Sequence, residues 1–250
     1  MTTRQKILIT GASSGLGAGM ARAFAAKGRD LALCARRIDR LEALRAELVA
    51  QYPGITVAVA ALDVNDHDQV PVVFGALAGQ LGGLDRVIVN AGIGRGARLG
   101  SGKLWANKST IETNLVAALV QIETALEMFT DSGAGHLVLI SSVLGNRGVP
   151  GAKAAYAASK AGVTSLGESL RAEYAKGPIR VTVLEPGYIE SEMTAKSAST
   201  MLMVDNKTGV ARMVEAIEHE RGRAVVPAWP WIPLVIAMKA VPTRFLEYFG

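Results

Sequence analysis

The stretch Thr10-Gly11-Ala12-Ser13-Ser14-Gly15-Leu16-Gly17 decides the fold, because it joins an apolar segment to a helical one. Lys6–Thr10 reads as a buried strand, and residues 15–27 read as a helix stopped at Gly28. The glycine spacing is G-x-x-x-G-x-G. Glycines permit a tight turn and close backbone approach, and the free N–H groups at a helix start can receive a pyrophosphate. Gly11–Gly15 also spells G-x-S-x-G, the nucleophile elbow of a serine hydrolase. That reading needs a downstream acid and histidine. Asp205 and His219 satisfy the order only loosely, and the elbow would stand on an unusually early strand.

Outward from this turn, short apolar runs alternate with helical periods. Strands are expected at 31–35, 56–62, 84–90, 136–141, 180–184 and 224–226. Helices are expected at 38–52, 66–81 (with Pro71 near its start), 110–129, 154–175 and 207–221. This alternation predicts parallel βαβ units. Right-handed crossovers then give an α/β fold, a doubly wound parallel sheet with helices on both faces. Residues 1–226 are expected to form the sheet domain, and 227–250 an apolar tail belonging to it.

The composition fits a globular α/β chain. Of 250 residues, 50% are hydrophobic and 20% are charged, which excludes a disordered chain. Cys34 is the one cysteine, and His67, His136 and His219 are scattered, so no metal site is expected. The net charge is +5, but the basic residues are dispersed apart from Arg36, Arg37 and Arg40. There is no basic arm and no basic–aromatic interleaving, so nucleic acid is not an expected partner. The N-terminal residues lack the length and flanks of a signal peptide, which sets the expectation of a cytoplasmic protein.

The ends of the other expected strands add to the glycine turn. Cys34-Ala35-Arg36-Arg37 carries no carboxylate for a ribose 2′-hydroxyl before Asp39. Arg36 is the candidate partner of a 2′-phosphate, with Arg37 and Ser13 as candidates to assist. Asp63-Val64 stands where an adenine amino group could bind, and Asn90-Ala91-Gly92 where the backbone must pass close to a cofactor. Tyr156 and Lys160 lie four residues apart on one helix, so phenol and ammonium share a face. A nearby cation favours the phenolate and suits the tyrosine to acid/base work. Ser142, closing a strand, can donate to a developing oxyanion, and Asn114 is a poor helix former in an apolar stretch where it could support Lys160 through water.

Taken together, TGASSGLG (10–17), DV (63–64), NAG (90–92), Asn114, ISS (140–142), YAASK (156–160) and PG (186–187) resemble the short-chain dehydrogenase/reductase family. The resemblance covers about residues 6–195. It implies a single Rossmann-type domain and hydride transfer between a nicotinamide and a carbonyl or secondary alcohol. By position it makes Tyr156 the acid/base and Lys160 the group that lowers its pKa and holds the nicotinamide ribose. Ser142 orients the carbonyl and Asn114 completes a proton relay. The cofactor would be held by Gly11, Ser13, Ser14, Gly15, Leu16, Gly17, Arg36, Arg37, Asp63, Val64, Asn90, Ala91, Gly92, Tyr156, Lys160, Pro186, Gly187, Ile189 and Ser191. Arg36 matches the basic position of NADP-preferring members, so NADP(H) is the expected cofactor.

Two departures follow. The spacing from Ser142 to Tyr156 is one residue longer than in many members, and Ser142 is preferred to Ser141 because Val143-Leu144-Gly145 follows it. The usual carboxamide-contacting threonine is replaced by Ser191, with Thr194 as the alternative. Residues 94–108 and 188–206 are expected to shape the pocket for a small, apolar carbonyl or alcohol.

The tail departs from the βα pattern. AVVPAWPWIPLVIAM (224–238) has no charge, and three prolines argue against a straight helix. Its fifteen residues are short for a membrane span. With Lys239, Arg244 and Phe245, Leu246, Tyr248 and Phe249 it reads as an amphipathic element. The first expectation is a subunit interface of a homo-oligomer (dimer or tetramer) or a lid. A membrane-surface contact, making the protein peripheral to a membrane, is the second. A serine hydrolase and a non-catalytic nucleotide-binding module are the competing functions.

Overall fold

A computed structural model describes residues 3–194, 202–244 and 246. The expected pocket segment 195–201 and the tail residues Phe245, Tyr248 and Phe249 lie outside the described residues.

Seven strands form one parallel sheet: β1 (Lys6–Thr10), β2 (Asp30–Ala35), β3 (Val57–Ala61), β4 (Arg86–Val89), β5 (Gly135–Ile140), β6 (Ile179–Pro186) and β7 (Arg223–Val226). Their order is β3-β2-β1-β4-β5-β6-β7. The chain moves outward one way from β1 and then the other way from β4, which opens a crevice at the carboxyl ends of those two strands. The register is regular: Ile7, Leu8 and Ile9 of β1 pair with Leu31, Ala32 and Leu33 on one side and Arg86, Val87 and Ile88 on the other. Both faces are covered, so the strands are apolar almost continuously instead of alternating.

One face packs α1 (Gly15–Ala25), α2 (Ile38–Gln51) and α7 (Asn206–Glu218) through Phe24, Leu41, Leu48 and Met213. The other packs α3 (Gln69–Leu81), α5 (Ala117–Ser132) and α6 (Ala154–Glu173) through Phe74, Leu77, Ile122 and Phe129. Phe24, Phe74 and Phe129 are fully buried, each stabilising the fold by about 1.5–3 kcal/mol relative to exposure. Pro71 falls in the first turn of α3, where its missing N–H costs nothing.

The expected helix 110–129 is three pieces. Leu104–Ile111 is α4, Glu112–Val116 is a π-turn, and α5 follows. α4 carries no apolar stripe: Leu104 and Trp105 are exposed, so periodicity does not announce it. The tail agrees with the expectation drawn from its prolines that no straight helix forms, because helix α8 (Ala228–Ala240) is kinked. Pro230 and Pro233 sit in or near its first turns, and Trp229 leaves helical geometry at φ −100, ψ 133. Trp231 and Val235 pack on Val143, while Trp229, Ile232 and Ile236 face outward. Among the described residues no helix is long and apolar enough to cross a membrane.

Candidate active site

A cavity of about 580 Å³ opens at the carboxyl ends of the central strands. Every residue expected to hold a cofactor lines it: Gly11, Ser13, Ser14, Gly15, Leu16 and Gly17 on the first turn, Arg36 and Arg37 after β2, Asp63 and Val64 after β3, Asn90, Ala91 and Gly92 after β4, and Pro186, Gly187, Ile189 and Ser191 after β6. Ser142, Tyr156 and Lys160 line it too. Asn114 is the exception and lies behind the wall.

The glycine turn is built for close backbone approach. Gly11 has φ +65, and a Cβ there would stand 2.9 Å from the Ala91 Cα. A Cβ on Gly17 would collide with the Gly11 carbonyl oxygen. Thr10 ties this turn to β4: its hydroxyl accepts from the N–H groups of Asn90 and Ala91, both at 3.0 Å. The Asn90 amide donates back to the Thr10 carbonyl at 2.8 Å. Ser14 caps α1 in extended backbone without a side-chain cap bond, so the opening N–H groups of α1 find no capping side chain. Uncapped N–H groups beside a side-chain-free cradle fit a pyrophosphate.

The two arginines take different positions. The Arg37 guanidinium donates to Ser13 Oγ at 3.2 Å and Ser14 Oγ at 2.7 Å, and also to Glu192. Arg36 stays 65% exposed in its side chain, with Asp63 Oδ2 at 4.0 Å. Both line the cavity after the end of β2.

The catalytic candidates meet on the opposite wall. Ser141 is fixed by its hydroxyl to the Lys160 carbonyl at 2.9 Å and to Thr164 Oγ1 at 2.7 Å. Ser142 Oγ accepts from the Leu144 N–H at 3.2 Å and lies close enough to the Tyr156 phenol to lower its pKa. Burial pushes the Tyr156 phenol up, the Ser142 bond pulls it down, and Tyr188 adds to the rise. Desolvation outweighs the pull of the neighbouring groups in this geometry, and the phenol lies above its ordinary value. Lys160 Nζ lies 5.9 Å from the Tyr156 ring centroid and donates to the Ile140 carbonyl at 2.8 Å. Burial lowers its own pKa to about 8.

Asn114 is buried, and the π-turn aims it inward. Its Oδ1 accepts from the Ile93 N–H at 2.8 Å, and its Nδ2 donates to the Ile93 carbonyl at 2.9 Å. It thus grips the segment after Asn90-Ala91-Gly92, and it makes no direct bond to Lys160. Ser191 and Thr194 are bonded to each other through Ser191 N–H to Thr194 Oγ1 at 2.8 Å, so both candidates share one turn over the cavity.

Sequence reasoning expected Arg95, Tyr188, Glu192 and Met193 only as members of the pocket segments 94–108 and 188–206, and it missed Lys153. Their signal is adjacency to the motifs, since Lys153 lies three residues before Tyr156 and Tyr188 follows Gly187. The hydrolase constellation does not assemble. Ser13 faces an arginine, Asp205 caps α7 through the Thr208 N–H, and His219 Nδ1 donates to the Glu215 carbonyl of its own helix. None of the three histidines lines the cavity, and among the described residues no metal-binding cluster exists.

Comparison with known proteins agrees with this geometry. A family model described as short chain dehydrogenase matches residues 5–202. An uncharacterized oxidoreductase of Mycobacterium tuberculosis (strain ATCC 25618 / H37Rv) is 77% identical over 248 residues, covering 99% of this chain and 98% of its own. Levodione reductase superposes with a TM-score of 0.81 at 27% identity, covering 89% of this chain and 95% of its own. An alcohol dehydrogenase from the archaeon Thermococcus sibiricus, complexed with 5-hydroxy-NADP, gives a TM-score of 0.78 at 26% identity, covering 88% of this chain and 95% of its own.

Proposed function

The chain belongs to the short-chain dehydrogenase/reductase family of NAD(P)-dependent oxidoreductases, and from that premise we propose that it is an NADP(H)-dependent reductase of a small carbonyl compound with an apolar body. The observation that carries this reading is the convergence of Ser142, Tyr156 and Lys160 on one wall of a cavity floored by the glycine turn. The preference for NADP(H) rests on Arg36 and Arg37 at the end of β2, where the first carboxylate in sequence is Asp39. Leu144, Tyr188 and Met193 supply the apolar part of the lining.

In the reductive direction a bound nicotinamide supplies the hydride to the carbonyl carbon. Tyr156 gives its phenolic proton to the carbonyl oxygen, so the product is the alcohol and the oxidised cofactor. Burial suits Tyr156 to this step, because it keeps the proton on the phenol until a developing oxyanion accepts it. Ser142 donates to the same oxygen. Lys160 holds its ammonium beneath Tyr156, stabilises the phenolate left behind and binds the nicotinamide ribose. Asn114 is a positioning residue: it fixes Ile93 and the cofactor-facing turn before it, and a relay from it to Lys160 passes through water.

A carbonyl panel followed by NADPH absorbance tests this proposal, with cofactor binding followed in parallel by nicotinamide fluorescence. Turnover with NADPH well above NADH is expected. Binding of either nicotinamide with no turnover of any carbonyl or alcohol would overturn it.

The exposed face of α8 supports a homo-oligomer, since Trp229, Ile232 and Ile236 are more apolar than an exposed helix face needs to be. Truncation after Val226 would then change the size seen by light scattering. Liposome binding by the full chain with no such change would favour the membrane-surface alternative.

A further inference from the structure

Besides Lys160, the carbonyl half of the cavity carries two further cations, Lys153 and Arg95, and no carboxylate of its own. Lys153 opens onto it one turn before Tyr156 and is partly buried. Its Nζ donates to Tyr188 Oη at 3.5 Å and lies 6.0 Å from the Tyr188 ring centroid. Tyr188 is held edge-on by Trp231 of α8, with centroids 5.2 Å apart and planes at 87°. Arg95 lines the cavity from the segment after β4. A Cβ on Gly96 would collide with the Ala152 carbonyl, so this segment abuts the one that carries Lys153. Met193 closes the far side, its Cγ 3.0 Å from where a Gly94 Cβ would stand.

Neither Lys153 nor Arg95 has an acidic partner among the described residues. The two acidic lining residues are committed elsewhere, Asp63 beside Arg36 and Glu192 to Arg37 and Arg40. The two segments that carry Arg95 and Lys153 are acid-free in sequence. Between Asp85 and Glu112 the chain has Arg86, Arg95, Arg98, Lys103 and Lys108, and between Asp131 and Glu168 it has Arg147, Lys153 and Lys160. A partly desolvated ammonium without a counter-ion is unfavourable, and a cleft lined by one sign of charge concentrates ligands of the other.

We infer that the substrate is an anionic carbonyl compound, with a carboxylate or phosphate group held by Lys153 and drawn in by Arg95 at the rim. This rests on the reductase reading and narrows it: the apolar body lies against Leu144 and Met193, the carbonyl faces Tyr156, and the anion points to Lys153. The tail takes part indirectly, because Trp231 sets Tyr188 and Tyr188 sets the ammonium.

The test uses three ketones on one skeleton with NADPH: 4-acetylbenzoate, 4-acetylphenyl phosphate and neutral 4-acetylbenzamide. The better of the two anions should exceed the amide in kcat/KM by about tenfold to a hundredfold, the range of a charge-assisted hydrogen bond. The choice between them names the carboxylate or the phosphate. Lys153→Gln should bring the anion-to-amide ratio towards one, Arg95→Gln should lower it less, and Lys153→Arg should retain it. Lys176→Gln, an exposed cation remote from the cavity, should leave the ratio as it was. Equal kcat/KM across the three ketones, or a ratio unmoved by Lys153→Gln and Arg95→Gln alike, would overturn the inference. A second readout needs no turnover: benzoate and benzamide binding to the NADP⁺-loaded protein by calorimetry. Tighter binding of benzoate that Lys153→Gln abolishes would support the anion site even if no ketone were reduced. Reduction of ketones without any such preference would sink the anion site and leave the reductase reading intact.

Discussion

The two ends of the same sheet handle polar groups in opposite ways. At the carboxyl ends, the opening N–H groups of α1, the Tyr156 phenol and the Lys153 ammonium face a cavity. At the amino ends, buried charges close on one another. Arg86, 1% exposed in its side chain, pairs with Glu218 and donates from Nε to His136 Nδ1 at 2.9 Å. His136 Nε2 meets Thr182 Oγ1 at 2.8 Å. Arg29 holds the second Glu218 oxygen at 2.7 Å, and Arg4 holds Glu220 at 2.8 Å. Asp85 accepts from the N–H groups of Gln5 and Lys6. Polar groups paired with one another hold α7 to the sheet, and polar groups left facing space are available to ligands. The same residue types thus do structural work at one end and chemical work at the other.

The sharpest way to test that contrast is one substitution at each end. Tyr156→Phe keeps the ring and removes the proton donor. Turnover should fall by on the order of 10²–10⁴-fold, with nicotinamide binding and thermal stability held. Near-normal turnover would break the assignment of this end to chemistry. Arg86→Met should do the reverse. It strips the Glu218 carboxylate and His136 Nδ1 of a buried partner, at a cost of about 3–5 kcal/mol in urea unfolding. Activity per folded molecule should be unchanged, and a large loss of kcat without loss of stability would contradict the division.

Most of the site end was legible in sequence, and little of the other. Glycine turns, strand-end asparagine and the Tyr156–Lys160 spacing carry local signatures, because backbone approach and i,i+4 geometry are fixed within a few residues. The sheet followed from apolar runs and helical periods. Arg95 and Tyr188 fell inside expected pocket segments without an individual role, and Lys153 carried no signature: its role comes from loops meeting across the cavity, and one charged residue in a loop resembles any other. The closed network was invisible for the same reason, since Arg86, His136 and Glu218 lie on three elements. The bend of α8 was legible in its prolines: the segment is helical but broken at Trp229, with Pro230 and Pro233 near the start of the continuous part, where they are tolerated.

A smaller effect sharpens the division within the cavity itself. Arg36→Ala removes the charge-assisted contact proposed to a 2′-phosphate and should weaken NADPH by about 1.5–3 kcal/mol. Because Arg36 is largely exposed, the lower part of that range is expected. NADH affinity should move far less. Fluorescence titration of both cofactors checks this, and equal affinities in the unaltered protein would remove the basis for the preference.

The smallest effect is a pH dependence of stability that belongs to the closed end. His136 has its pKa pushed well below the ordinary 6.5, first by desolvation and then by the charges of Arg86 and Arg4. Its Nδ1 accepts from Arg86 in the folded protein, so a proton there would oppose a guanidinium N–H. A histidine with a depressed folded pKa binds fewer protons folded than unfolded in the window below 6.5. Stability is therefore complete above that value and falls as pH drops through the window, by at most about 1.4 kcal/mol per pH unit for one proton. Glu220, 3.9 Å from Nδ1, opposes the shift without reversing it. Glu218 has the same sign at lower pH. Burial would raise its pKa, but the hydrogen bonds from Arg29 and Arg86 outweigh this, so its stabilisation is lost as the carboxylate protonates. Asp85, raised chiefly by burial, partly offsets that second loss. Urea unfolding at half-unit steps from pH 8 to 5 should thus show stability declining from about pH 6.5 downward, the ordinary histidine value. His136→Gln should flatten this first decline whatever its effect on absolute stability. An unaltered slope in that variant would show that His136 is not the group being titrated, and that the network at this end is less closed than its hydrogen bonds indicate.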